Sequence, residues 1–151
     1  MRGFVMGWGI RILIIAVIVV GALIFRDRMS NNAGELKVGD CFDDPPAAVE
    51  IKDVQHHPCT EAHTAEVVFV GKMTGDNAAY PADSVVESWV GANCIPAWNG
   101  YTGKTYDSEE ILDLGFYQPT SQGWSKGDRD VICYAIRVDS EPMTSSLKAT
   151  Q

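Results

Sequence analysis

The sequence lacks the short motifs that mark common redox and metal sites. It has no Cys-x-x-Cys pair, no His-x-x-x-His spacing and no internal repeat, and it holds only three histidines. A thioredoxin-like redox centre and a regularly spaced metal centre therefore have no support. Two serines of the predicted helix, Ser84 and Ser88, lie in no Gly-x-Ser-x-Gly pattern. None of the acidic residues Asp40, Glu61 and Glu66 has an evident catalytic partner.

Basic residues are also scarce. The chain has 12 Lys and Arg against 20 Asp and Glu. The four arginines and one aspartate up to Arg28 leave 8 basic and 19 acidic residues beyond it, a net charge of −11. Such a domain will not bind nucleic acid or anionic lipid headgroups through bulk electrostatics. It would stay soluble and attract cations or basic partners.

One apolar run stands out at the amino end. Every residue from Ile12 to Phe25 is apolar or glycine, and the apolar character extends back to Phe4 with Arg11 as the one break. A helix counted from Phe4 would be about 33 Å long, enough for a hydrocarbon core of about 30 Å. A cleaved signal peptide is the alternative. The run ends in bulky residues before Arg26, so the pattern favours an uncleaved single-pass anchor in the plasma membrane. No cysteine suited to lipid attachment follows it.

The four cysteines all lie beyond this run. An even number of cysteines in a small exported domain is typical of an oxidising compartment, so the domain is expected to be extracytoplasmic and to contain two disulfides. Three connectivities are open, and sequence order favours Cys41 with Cys59 and Cys94 with Cys133.

Alternating apolar residues predict short strands around one helix. The helix is expected to take Asp83 or Ser84 as its N-cap and to end near Pro96. Its predicted apolar stripe consists of Val85, Val86, Trp89, Val90 and Cys94. Gly127 belongs to a predicted turn before the last strand. Strands are predicted over residues 36–38, 49–54, 66–71, 112–117 and 131–138. The strand 66–71 is nearly continuous in apolar residues, which is typical of a central strand, and in the last strand the odd-numbered and even-numbered residues are expected on opposite faces.

These patterns predict an α+β fold: a small, mainly antiparallel sheet with one packed helix and two disulfides, preceded by a single N-terminal transmembrane helix. The expected division is a short cytoplasmic end with the anchor over residues 1–28, a stalk over 29–35, the extracytoplasmic domain over 36–139 and a flexible tail over 140–151.

All three histidines lie within ten residues, His56, His57 and His63, and Cys59 lies among them. An extended segment before Pro58 would point the two adjacent histidines to opposite sides, so both cannot enter one site. If Cys59 forms a disulfide, its sulfur cannot bind a metal. The stretch therefore predicts a turn held by a disulfide, with no metal and no cofactor, and His63 is the histidine kept as a candidate polar site.

The order of these features resembles the septum formation family, small membrane-attached domains of actinobacterial cell envelopes. The resemblance covers most of residues 36–138 and is carried by short segments around Cys41, Cys59, Cys94 and Cys133, with Pro81 and the segment 124–129 between them. It implies an extracytoplasmic α+β domain with four paired cysteines on a single anchoring helix. It also implies a role near the division septum or in wall assembly, and it carries no catalytic residues.

The sequence thus predicts a membrane-anchored envelope domain that binds or scaffolds an envelope protein or cell-wall component without being an enzyme. The rival interpretation is an envelope hydrolase or metal-dependent enzyme that uses His57 and His63. The predicted recognition edge consists of Phe116, Tyr117, Trp124, Asp128 and Arg129.

Overall fold

The computed structural model describes residues 31–45, 53–74 and 79–150. Two single-turn 3₁₀ helices, Ala33–Glu35 and Tyr106–Ser108, accompany the main elements. In chain order these are β1 Asn31–Asn32, β2 Cys41–Asp43, β3 Asp53–His57, β4 Ala65–Lys72, α1 Asp83–Thr102, β5 Leu112–Tyr117, α2 Ser121–Ser125 and β6 Asp130–Arg137.

The strands form one sheet in the order β1-β3-β2-β4-β6-β5, and every neighbouring pair is antiparallel. The strand β4 lies in the interior of the sheet, as its nearly continuous apolar sequence predicted. A register shift between Val67 and Phe69 marks an irregularity in its pairing with β6. The predicted α+β architecture, with a small antiparallel sheet and one main packed helix, is confirmed within the described residues.

The helix α1 is longer than predicted. It runs through Pro96 to Thr102 and ends at Gly103, whose φ of +69° suits a left-handed cap and whose N–H donates to Asn99. Its N-cap is Ala82, so the prediction of Asp83 or Ser84 was wrong by one or two residues. A proline inside a helix removes one backbone hydrogen bond. Burial of Trp98 and Thr102, which follow the proline, outweighs the loss of that hydrogen bond.

The buried residues of α1 recur at intervals of four, which places them in one stripe against the sheet. Val85, predicted to belong to the stripe, is 47% exposed. Trp98, at 0% exposure, extends the stripe past the proline and contacts the ring of Tyr106 edge-on, with ring centroids 5.4 Å apart. The stripe consists of Val86, Val90, Cys94, Trp98 and Thr102.

The two faces of the sheet carry different clusters, and alternation along β6 assigns its residues to them as predicted. Cys133 and its alternate neighbours face α1 and join the larger core. Tyr134 faces the opposite side, where a smaller cluster forms around Phe42 and Val67 and is partly covered by Leu36.

The predicted first strand over residues 36–38 is wrong, since this segment is a turn. Leu36 is buried, whereas Lys37 and Val38 are exposed. The Asp40 carboxylate accepts from the Lys37 N–H at 2.8 Å, and Gly39 has a φ of +94°. A local side-chain bond and a left-handed residue favour a turn over extension, and the strand starts at Cys41 instead.

Both ends of the domain differ from the expected division. Asn31–Asn32, expected in a stalk, pairs with β3. The segment after Ser140, expected to be a loose tail, has Met143 at 6% exposure. The predicted anchor over residues 1–28 lies outside the described residues, and so do positions 49–52 of the second predicted strand. None of the helices in the described ranges is long and apolar enough to cross a bilayer.

Candidate functional site

All four cysteines are paired, Cys41 with Cys59 and Cys94 with Cys133, as sequence order favoured. Their Cα atoms are 5.3 and 6.0 Å apart, within the usual range for a disulfide. The first bridge joins β2 to the turn after β3. The second joins the buried stripe of α1 to β6, so it fixes the helix on the sheet.

The three histidines lie in three different surroundings. His57 pairs with Cys41 across the sheet and His56 with Phe42, so the adjacent rings point to opposite faces, as predicted. The His57 Nε2 atom lies 2.8 Å from an Asp43 carboxylate oxygen. The Nε2 of His56 is buried without a hydrogen-bond partner in the described part of the chain.

His63 is the buried histidine, with 1% of its surface exposed. Its Nδ1 lies 2.8 Å from the Glu61 carbonyl oxygen, which favours a proton on that nitrogen. Its Nε2 has no hydrogen-bond partner among the described residues. Its backbone forms a β-bridge with Met143. The His63 N–H donates to the Met143 carbonyl with an N to O distance of 3.0 Å, and the Met143 N–H donates to the His63 carbonyl with an N to O distance of 2.8 Å.

One cluster has ligand atoms close enough together to suggest a metal site. The sulfurs of Cys41 and Cys59 and a carboxylate oxygen of Glu66 lie within 4.8 Å of one another. The two sulfurs are bonded to each other and so offer no thiolate, the form that binds metals. The cluster is therefore a disulfide beside a buried carboxylate, and it contains none of the histidines.

Glu66 is the acidic residue whose partners the sequence did not reveal. It lies on β4 facing α1 and is 0% exposed. Its Oε1 accepts from the Tyr101 hydroxyl at 2.5 Å and the Ser146 hydroxyl at 2.6 Å, and its Oε2 accepts from the Leu147 N–H at 2.6 Å. A buried carboxylate needs such donors. The available signal was an acidic residue inside an otherwise apolar central strand.

Tyr101 is the donor that α1 contributes to this group. Burial, and after it the hydrogen bond to Glu66, raises the pKa of Tyr101 to about 12. The hydroxyl therefore keeps its proton near neutral pH and remains a donor. Helix, central strand and C-terminal segment meet at this one carboxylate.

The five residues of the predicted recognition edge do not form one surface. Phe116 faces α1, whereas Tyr117 faces the opposite side, because they are neighbours in a strand. Trp124 is only 4% exposed and belongs to the core, which corrects its placement on an exposed edge. Arg129 covers the indole at 3.8 Å from its centroid and donates to the Trp124 carbonyl at 2.8 Å. Asp128 is exposed.

Tyr117 belongs instead to an aromatic cluster on the face away from α1. Its hydroxyl donates to Asp44 at 2.6 Å, and the Tyr134 hydroxyl donates to the same oxygen at 3.2 Å. The two rings have centroids 4.7 Å apart, and Phe42 packs edge-on against Tyr134 at 5.4 Å. Burial, followed by the effect of Asp44, raises the pKa of both tyrosines.

The segment from Gly123 to Gly127 formally matches the Gly-x-Ser-x-Gly pattern, a match that sequence reasoning overlooked. In hydrolases the serine of that pattern lies on a sharp turn from a strand into a helix. Here Ser125 is the last residue of α2, and its hydroxyl donates to the Gln122 carbonyl at 2.8 Å. The structural context of a nucleophile is therefore missing at this serine.

Comparison with known proteins gives one family. Neither the curated proteins nor the solved structures include a match to the chain. The family model described as septum formation matches residues 38–150, which is most of the chain and includes both disulfides and Glu66. The chain therefore belongs to the septum formation family, as the resemblance indicated.

Proposed function

We propose that this chain is a membrane-anchored, extracytoplasmic domain that binds or scaffolds another envelope component at the division septum, without catalysing a reaction. Membership of the septum formation family supports a role in septum formation or cell division. The binding role, the anchor and the location are our inference from the chemistry of the chain.

The observation that carries the proposal is how the reactive side chains are used. Both pairs of cysteines are joined, and Glu66 accepts three hydrogen bonds from structural donors. His57 contacts Asp43, and His63 is buried against backbone. A nucleophile or base in an enzyme must reach its substrate. The cysteines, Glu66 and His57 are engaged within the fold instead, and His63 is buried away from solvent.

The compartment is supported by the disulfides and the apolar run. Disulfides persist in oxidising compartments, and a net charge of −11 beyond Arg28 suits a soluble outer domain. The run from Phe4 to Phe25 has the length and character of an anchor. Protease added to intact cells without a wall would cleave the domain if it is outside, and full protection would contradict this topology.

The septal role is tested in dividing cells. A fluorescent fusion to the full-length chain should concentrate at the division site, and an even peripheral signal through division would refute it. Crosslinking in the same cells, followed by mass spectrometry, should recover an envelope partner from the wild-type chain.

The rival, a metal-dependent enzyme using His57 and His63, makes a different prediction. The purified chain would contain stoichiometric metal, and His63→Ala would remove it. We expect no bound metal in elemental analysis, since the described residues place His57 and His63 in separate contacts.

A further inference from the structure

The C-terminal segment 143–149, here called the strap, lies against the domain as an irregular segment that has one β-bridge, at Met143, and a bend at residue 145. It contacts three residues from different elements. His63 forms the backbone bridge with Met143, Glu66 accepts from Ser146 and Leu147, and the Tyr101 carbonyl accepts from the Ala149 N–H at 2.8 Å. We call the surface formed by His63, Glu66 and Tyr101 the strap groove.

The strap groove recognises features that many extended peptides share. Backbone N–H groups of the strap meet acceptors at three positions, and one hydroxyl side chain meets a carboxylate. Met143 and Leu147 supply apolar anchors to the core on the α1 side. Backbone hydrogen bonds that supply affinity, together with side-chain contacts that supply specificity, are a known means of binding a peptide segment.

The link between strap and sheet has few contacts with the core. Residues 139–142 are all exposed, and Ser140 has a φ of +60°, which is uncommon for a residue with a side chain. Segments with few buried apolar contacts open at lower free energy than the core around them. Opening would remove the Ser146 and Leu147 donors and leave Tyr101 as the remaining described donor to Glu66. A ligand that buries this carboxylate again must bring its own hydroxyl and N–H donors.

We propose that the strap groove is a peptide-binding site occupied in this structure by the chain's own C-terminal segment, which a partner displaces. The partner segment has an apolar anchor, a hydroxyl residue three positions later and an aliphatic residue directly after that, as in Met143, Ser146 and Leu147. This inference rests on the proposed binding function and assigns that function a site.

The linker 139–142 sets how strongly the strap competes with a free peptide for the strap groove. A short linker gives an effective concentration on the order of 1 mM. A free peptide with the strap's sequence therefore binds the wild-type chain with an apparent Kd no tighter than about 1 mM, whatever its intrinsic affinity. Weakening the strap without shortening the chain removes this competition.

The test uses a fluorescent peptide covering residues 141–150 and the full-length chain in detergent. The loosened variant carries Met143→Ser, Ser146→Ala and Leu147→Ser. We expect it to bind the peptide at least tenfold more tightly than the wild-type chain does. Adding Glu66→Gln to the variant, or using a peptide with Ser146→Ala and Leu147→Asp, should reverse that gain. Equal binding by folded wild-type and loosened chains would overturn the proposal.

Hydrogen exchange on the wild-type chain decides the question if the variant fails to fold. The amides of His63, Met143, Leu147 and Ala149 all form hydrogen bonds that depend on the strap. We expect these four to exchange together, with protection at least tenfold lower than that of Val67, whose N–H bonds to Asp40 in the core. Protection equal to that of Val67 would mean that the strap opens only on unfolding, and would overturn the proposal.

Two further outcomes are distinct. Crosslinks between the strap of one copy and the groove of another, in a wild-type dimer, would make a second copy the occupant and overturn the partner assignment. Failure of peptide binding alongside septal localisation and partner crosslinking would remove only the strap groove. Peptide binding without septal localisation would remove only the septal role.

Discussion

The substitution Tyr101→Phe tests whether Glu66 organises the junction of α1, β4 and the strap. It removes a single hydroxyl and keeps the ring. That hydroxyl donates to a fully buried carboxylate oxygen at 2.5 Å. Hydrogen bonds to charged groups contribute about 1.5–3 kcal/mol. Because Ser146 donates to the same oxygen and is still present in the variant, we expect a loss in the lower part of that range. Tyr101→Phe should therefore lower the unfolding free energy by about 2 kcal/mol.

The assay is urea unfolding followed by circular dichroism, with Tyr80→Phe as the matched control. The Tyr80 hydroxyl donates to the Pro119 carbonyl at 2.9 Å and accepts from the Gln118 side-chain amide at 3.0 Å, and Tyr80 is 39% exposed. Because both bonds are neutral and partly solvated, we expect their combined loss to cost about 1 kcal/mol. If Tyr101→Phe cost no more than Tyr80→Phe, the carboxylate would not organise this junction. Combining Tyr101→Phe with Ser146→Ala should give a non-additive loss, because the two donors share one acceptor.

Three further predictions concern other parts of the fold. Replacing both cysteines of the Cys94–Cys133 bridge by alanine should lower the unfolding free energy by about 4 kcal/mol, and replacing those of the Cys41–Cys59 bridge by about 3 kcal/mol, because the sequence separations are 39 and 18. Thermal melts of the two double variants should show that order of stability loss, and the reverse order would contradict the loop-length argument. Pro96→Ala should raise the unfolding free energy by about 1–3 kcal/mol, since Pro96 is exposed inside a helix; an unchanged urea midpoint would mean that the helix gains nothing from a restored N–H. The pKa values of Tyr101 and Tyr106 are raised to about 12, that of Tyr101 chiefly by burial and that of Tyr106 chiefly by its hydrogen bond to Asp113. Their contribution to stability is therefore complete below pH 10 and is lost between pH 10 and 12. Absorbance at 295 nm, which reports ionised tyrosine, should rise when the protein is unfolded at pH 11, and no rise would refute the shifts.

Periodicity predicted the interior of the fold well because burial repeats along strands and helices. The limits of β5 and the two faces of β6 followed from alternation alone, and the pairing of Cys94 with Cys133 followed from sequence order. Local rules failed where distant contacts decide. The helix passes Pro96 because Trp98 packs in the core, and no local preference in the sequence reports that burial.

The sequence by itself determined the composition of the domain, its strand alternation and its family, and it favoured the cysteine pairs that the structure contains. The tertiary structure decided the polar centre. Glu66 is an ordinary acidic residue until the fold brings the hydroxyls of Tyr101, 35 positions later, and Ser146, 80 positions later, to its Oε1 atom. A carboxylate can be buried only where donors converge on it, and convergence of distant residues is a property of the folded chain.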